Sequence, residues 1–213
     1  MTRSKLQHPS HCYPGTPYWV VPTILVYFTH ASANYLPAMF SNMVTYLQAD
    51  TQAGTRFATI DTSLYTQIWI VCNGNYQGMV ANDYTILATY YNVGGTLMLI
   101  TDHYEFDQAD FNNISTACGL GVSVSGNTPH TNGCIVVNSS DPICAGLNLW
   151  THNSEGILSG GIEVWETRLR RGTRWVAEAT FVRSLNTGVW PEWTLPCDRN
   201  IYWQNIMNYL GWV

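Results

Sequence analysis

Two histidines and a few scattered carboxylates carry most of the chemistry open to this chain. His30 and Ser32 follow one apolar run, Asp61 and Thr62 follow a second, Asn73 and Asn75 a third, and Asp102, His103 and Glu105 a fourth. Imidazole and carboxylate at His30, Asp102 and His103 are donor types that hold a divalent metal or make an acid/base pair for hydrolysis. Asp61, Asn73, Asn75 and Glu105 would line the ligand beside them. The competing role of such residues is to cap helices and solvate loop ends, as expected of Asp107 ahead of Phe111. On residue type alone that plainer role is the commoner one.

Arg168, Arg170, Arg171 and Arg174 crowd one short stretch. Together they could bind phosphate, sulfate or a carboxylated glycan, or they could keep a strand edge from pairing with other chains. Trp150, Trp165, Trp175, Trp190, Trp193, Trp203 and Trp212 crowd the last third. Exposed, they would stack on sugar rings or pack on a partner; buried, they fill a core, the usual fate of tryptophan.

These residues need a scaffold, and the apolar pattern supplies one. Thr23-Ile-Leu-Val-Tyr-Phe-Thr29 is a continuous β-branched and aromatic run, as in a strand buried on both faces. Leu36, Met39, Phe40, Met43, Val44 and Leu47 recur at helical spacing, with Asn34 as cap and Pro37 in the first turn. Arg56 to Ile60 reads as a second strand and Ile68 to Cys72 as a third. A helix is expected from about Met79 to Tyr91, stopping at Gly94-Gly95. Thr96 to Thr101 is a fourth buried strand, and Phe111, Ile114, Ala117 and Cys118 form a helical stripe ended by Gly119. Cys134 to Asn138 suits a fifth strand. Ile162 to Leu169 and Arg174 to Val182 suit the two arms of a hairpin, and a last helix covers about Asn200 to Leu210. Strands alternating with helices over short connections imply a parallel, doubly wound sheet with helices on both faces.

Composition narrows the classes of function. The chain has 213 residues, 46% hydrophobic and 13% aromatic, which excludes a disordered polymer. Only 11% are charged, one of the nine basic residues being lysine (Lys5), and the net charge is −5. A nucleic-acid partner, which needs a basic footprint, is not expected. The longest apolar run, Val20 to Phe28, is strand-sized and holds Pro22, so no membrane span is expected. Met1 to Gly15 lacks an apolar leader stretch, so no signal peptide is expected in this chain. Six cysteines allow 15 pairings and form no C-x-x-C pair. Sparse lysine, abundant Tyr and Trp, and an even cysteine count lean towards an extracellular or particle-surface setting.

Three segments carry a family resemblance. Leu64-Tyr-Thr-Gln-Ile-Trp-Ile-Val-Cys72 is similar to the third strand and loop entry of the class I glutamine amidotransferase-like superfamily. Tyr90-Tyr-Asn-Val-Gly-Gly-Thr-Leu-Met-Leu-Ile-Thr-Asp-His103 resembles the helix, double glycine and strand of its trehalose-utilisation and intraflagellar-transport relatives. Ser140-Asp-Pro-Ile-Cys-Ala-Gly-Leu147 resembles the stretch after their fifth strand. The resemblance covers roughly Pro22 to Leu149. It implies an α/β, flavodoxin-like doubly wound parallel sheet, with a late β-hairpin and a closing helix. In catalytic members a G-x-C-x-G elbow after the fourth strand presents the nucleophile and a late His-x-Glu pair activates it. Here the elbow falls on Ile100-Thr101-Asp102, without cysteine or glycines, and the last histidine is His152. Without thiolate and imidazole, the resemblance implies no glutaminase chemistry.

The expected organisation is an N-terminal arm, residues 1–18, and a single amidotransferase-like domain, residues 19–213, with its hairpin elaboration at about 160–185. The arm has few apolar anchors to offset its ordering entropy, so a disulfide at Cys12 or a neighbouring chain is expected to hold it. The expected function is non-catalytic, in binding or as a subunit of a larger assembly. A metal-assisted or acid/base hydrolase at the strand-end crevice is the alternative. No cofactor is expected outside that alternative's divalent metal. Partners are expected to be proteins or further copies of the chain, with a glycan or small anion as the other ligand class.

Overall fold

In the computed structural model, residues 22–29, 50–53, 56–72, 78–101, 108–126, 140–146, 156–165, 169–179 and 196–211 are described. They build a seven-stranded sheet, ordered β2 (Asp50–Ala53), β1 (Ile24–Phe28), β3 (Gln67–Val71), β4 (Thr96–Ile100), β9 (Trp175–Glu178), β8 (Leu169–Arg171), β7 (Ile162–Trp165). The first five run parallel, and β8 and β7 continue antiparallel. β5 (Val122–Ser125) and β6 (Ile157–Gly160) form a separate antiparallel pair. This is an α/β flavodoxin-like fold with a marginal antiparallel strand pair and a closing helix.

Alternation along the strands sorts the core into two faces. Leu25, Tyr27, Ile68, Ile70, Leu97, Leu99 and Ala177 pack with Leu87 and Tyr90 of α1 (Ala81–Asn92) and Phe111 and Ile114 of α2 (Gln108–Cys118). The opposite face receives α3 (Pro196–Gly211), which buries Ile206 and Leu210. There the Gln67 amide donates to Met207 O at 2.8 Å and accepts the Trp69 indole N–H at 3.1 Å. Helices therefore lie on both faces. α1 ends at Gly94, whose φ of 110° is the left-handed conformation that a residue with Cβ avoids.

Two strand expectations are corrected. Residues Arg56 to Ile60 are not a strand: Phe57–Thr59 is a single 3-10 turn, and the strand beside β1 is Asp50–Ala53. The Phe57 ring is fully buried edge-on to Tyr27, at 4.9 Å between centroids. Its neighbours bond locally (Ile60 N to Phe57 O, 2.9 Å), and Ala58 N donates to the Asp83 carboxylate at 3.2 Å. Backbone groups satisfied in this way are not offered to a sheet. Nor is Ile162 to Leu169 one hairpin arm. It contains β7 and only the first residue of β8; the hairpin turning at residues 172–174 is formed by β8 and β9, and β9 is at the same time an inner strand parallel to β4. The arm (residues 1–18), the first expected helix and the Cys134 to Asn138 strand lie outside the described residues.

Candidate functional site

In an open parallel sheet, ligands collect at the carboxyl ends of the strands, and here those ends are level: Phe28 pairs with Val71, Val71 with Ile100, and Ile100 with Glu178. The ladder runs one residue further on three strands. Thr29 N donates to Val71 O (3.0 Å), Cys72 N to Ile100 O (2.8 Å) and Thr101 N to Glu178 O (2.9 Å). Alternation then puts Thr29, Cys72, Thr101 and Ala179 in one row on the α1/α2 face, with Glu178 on the α3 face. All five are buried, and all but Thr29 completely so.

Thr101 stands where the resemblance puts the nucleophile. Its Oγ1 is sealed from solvent and has no hydrogen-bond partner, so among the described residues no base is bonded to it. Among the described residues, no group of three or more His, Cys, Asp or Glu side chains could hold a metal ion. Cys118, on the inner side of α2, is a buried thiol pushed up to about 12 by desolvation, which suppresses its thiolate.

The start of α1 faces the same edge, and such a terminus offers amides to anions. Here one carboxylate from α1 and one from α2 hold the amides just ahead of it. Asp110 Oδ2 accepts from Gly78 N at 2.8 Å and Met79 N at 2.9 Å, while Oδ1 accepts the Tyr84 hydroxyl. Asp83 Oδ2 accepts from Val80 N at 2.9 Å. Both carboxylates are buried. Burial, helped by the Asp83 charge, pushes the nearby Tyr27 hydroxyl above its ordinary range. An anion approaching the Gly78, Met79 and Val80 amides would have to displace these carboxylates.

The other residues singled out from the sequence are dispersed. His30, Asn73, Asn75, Asp102, His103, Glu105 and Arg168 lie outside the described residues. Asp61 lies at the opposite edge of the sheet, a consequence of the 56–60 correction. It caps the Thr62–Leu64 turn, and Leu64 O accepts from Thr23 just before β1 begins. Asp61 is fully exposed, and its carboxyl is held below the usual range by the Ser63 hydroxyl (2.6 Å) and then the Ser63 N–H (3.1 Å).

The three described arginines of the cluster engage three different structures. Arg170 pairs with Glu163 on the neighbouring strand at 2.9 Å. Arg171 pairs with the buried Asp141 at 2.5 Å and reaches the Tyr209 hydroxyl at 3.1 Å, binding the Pro142–Cys144 turn, β8 and α3 together. Arg174 donates to Tyr91 O (2.6 Å) and Gly95 O (3.2 Å) and lies 4.1 Å from the Tyr91 ring centroid, capping the carboxyl end of α1. Among the clustered tryptophans, Trp175 is core.

Sequence reasoning missed Asp83, Asp110 and Glu178. Asp83 carried a signal, since an acidic residue in a first helical turn bonds the free amides there, whereas Asp110 reaches across from α2 to the amides ahead of α1. Glu178 carried none; it is one carboxylate inside an apolar run.

No family model matches the chain, and no curated protein matches it. Solved structures do. A ThuA-like protein from Bacteroides uniformis superposes with a TM-score of 0.57 at 12% identity, over 93% of this chain and 95% of that one. The IFT52 N-terminal domain gives 0.58 at 8% identity, over 89% and 98%. A GMP synthase component from Thermoplasma acidophilum gives 0.50 at 14% identity, over 88% and 94%. At these identities the likeness is one of fold: the chain shares the α/β architecture of these three proteins.

Proposed function

We propose that this chain is a non-catalytic member of the amidotransferase-like superfamily, working in binding or as a subunit of a larger assembly. The observation that carries this reading is Thr101: the nucleophile's position holds a hydroxyl with no solvent access and, among the described residues, no base bonded to it. The Gly78, Met79 and Val80 amides just ahead of α1, already taken by Asp110 and Asp83, support it, since an open anion cradle would be needed to bind a charged substrate there. An IFT52 domain among the structural neighbours is consistent with work inside a complex. The test is glutamine hydrolysis by the purified chain. Ammonia release at the rate of the buffer control is expected; turnover abolished by Cys72→Ala would overturn the reading.

The alternative is a metal-assisted or acid/base hydrolase using His30, Asp102 and His103. One observation favours it: Glu178, a fully buried carboxylate, ends the strand beside β4, from which Asp102 and His103 follow. Metal analysis of the purified protein separates the two, with stoichiometric divalent metal supporting the hydrolase.

A further inference from the structure

α1, α2, β5 and β6 adjoin one another in that order and form a layer over one face of the main sheet. Between residues 78 and 101 and between 108 and 126 the only charged residues are Asp83 and Asp110, both buried. Among the described residues, the solvent side of this layer therefore carries no ion of its own, and the half-buried Arg174 stands at its margin, against Tyr91. Its polar groups are largely satisfied within the layer. Thr85, Thr89 and Thr116 are exposed, yet each turns its hydroxyl back to a carbonyl of its own helix (3.0, 2.9 and 2.8 Å). Ser123 and Ser159 bond each other at 2.8 Å, and Asn113 donates to the Tyr84 hydroxyl at 3.3 Å. Val80 and Val93, 39% and 80% exposed, flank α1.

Loss of charge is the compositional mark of an interface centre, whereas overall apolarity is not. We propose that this layer is where a second copy of the chain docks, face to face about a two-fold axis. The inference rests on the assembly reading and names its surface. The occupant follows from charge. Ions buried against an ion-free face would be left unpaired, at a high cost. A two-fold axis presents each copy with the same ion-free face automatically, and it keeps the remainder of two chains of net charge −5 apart. Size is adequate. The twelve residues of α1 span about 18 Å at ~1.5 Å per residue. Two helices and two strands side by side are about 30 Å wide. Each copy thus offers roughly 500 Å², near the lower limit of about 1,000 Å² in total for a specific interface. The association should accordingly be weak and concentration-dependent.

The test is sedimentation velocity of the full chain over a concentration series, beside a Thr89→Lys/Thr116→Lys variant. Both substitutions lie on exposed helix positions and lower the net negative charge, so general repulsion cannot account for lost association. A monomer–dimer equilibrium weakened at least tenfold in the variant, with an unchanged thermal midpoint, is expected. A dimer that persists in the variant would overturn this surface and leave the assembly reading standing. A chain that stays monomeric at every concentration would overturn the second copy as occupant, while the ammonia assay tests the non-catalytic reading separately.

Discussion

Replacing Thr101 by valine tests the reading of the strand-end row most directly. The substitution keeps the β-branched shape and exchanges an unpartnered hydroxyl for a methyl. A buried polar group without a partner costs about 1–3 kcal/mol, and a newly buried methyl contributes up to ~0.8 kcal/mol. Thr101 is fully buried and its Oγ1 unpaired, so Thr101→Val should stabilise the fold by roughly 1–2 kcal/mol once partial relaxation of the wild type is allowed for. With a urea slope of about 2 kcal/mol/M, the unfolding midpoint should rise by about 0.5–1 M. Thr101→Ser keeps the hydroxyl and loses the methyl, so it should move the midpoint down. Equilibrium urea unfolding followed by tryptophan fluorescence reads all three proteins. Destabilisation of the valine variant by 1 kcal/mol or more (about 0.5 M on the same slope) would refute the argument. It would mean that the hydroxyl has a partner in solution and that the position belongs to a working site.

Arg174→Lys retains the charge but gives up the forked contact with Tyr91 O and Gly95 O and the stacking on Tyr91. The expected cost is about 1–2 kcal/mol, read as a lowered thermal midpoint; an unchanged midpoint would show that the cap contributes nothing. Ser63→Ala should raise the Asp61 carboxyl pKa towards its ordinary value, because the Ser63 hydroxyl is the largest cause of its depression. A depressed carboxyl favours the folded state above its unfolded value of about 4, and that preference disappears as pH falls through the lower folded value. Carboxyl chemical shifts followed from pH 2 to 7 (the window about that reference value) check the sign, and a shift in the opposite direction would count against it.

Sequence patterning reached the parts of this fold that periodicity controls. The doubly buried runs at β1, β3 and β4 and the helices closed by Gly94 and Gly119 are where it expects them, because continuous β-branched runs and glycine-terminated stripes have few other uses. It failed where a side chain overrides the local pattern. Phe57 sits in a strand-like stretch but turns inward onto Tyr27, and the Asp83 carboxylate that helps hold the turn comes from a distant helix. That slip carried Asp61 to the wrong edge of the sheet. The arginine cluster illustrates a different limit. Adjacency in sequence brought Arg170, Arg171 and Arg174 together on paper, whereas strand alternation and the turn at Gly172 send them to Glu163, Asp141 and the end of α1. β5 and β6 were invisible because each is four residues long and their pairing is distant in sequence.

α2 does to β5 what a neighbouring strand would do. Asn112 accepts from Val124 N at 2.9 Å and donates to Val124 O at 3.0 Å. Gln108 reaches Gly126 O at 3.0 Å, and Ser115 bonds Val122 O. Because only residues 119–121 separate the helix from the strand, this imitation of a ladder closes through a very short loop at little entropic cost. The helix and strand can therefore come together early in folding, before the far more distant β6 arrives on the strand's other side. During that interval β5 is already satisfied along one margin. A half-built molecule offers other chains fewer bare backbone groups there, and the order of folding itself limits aggregation.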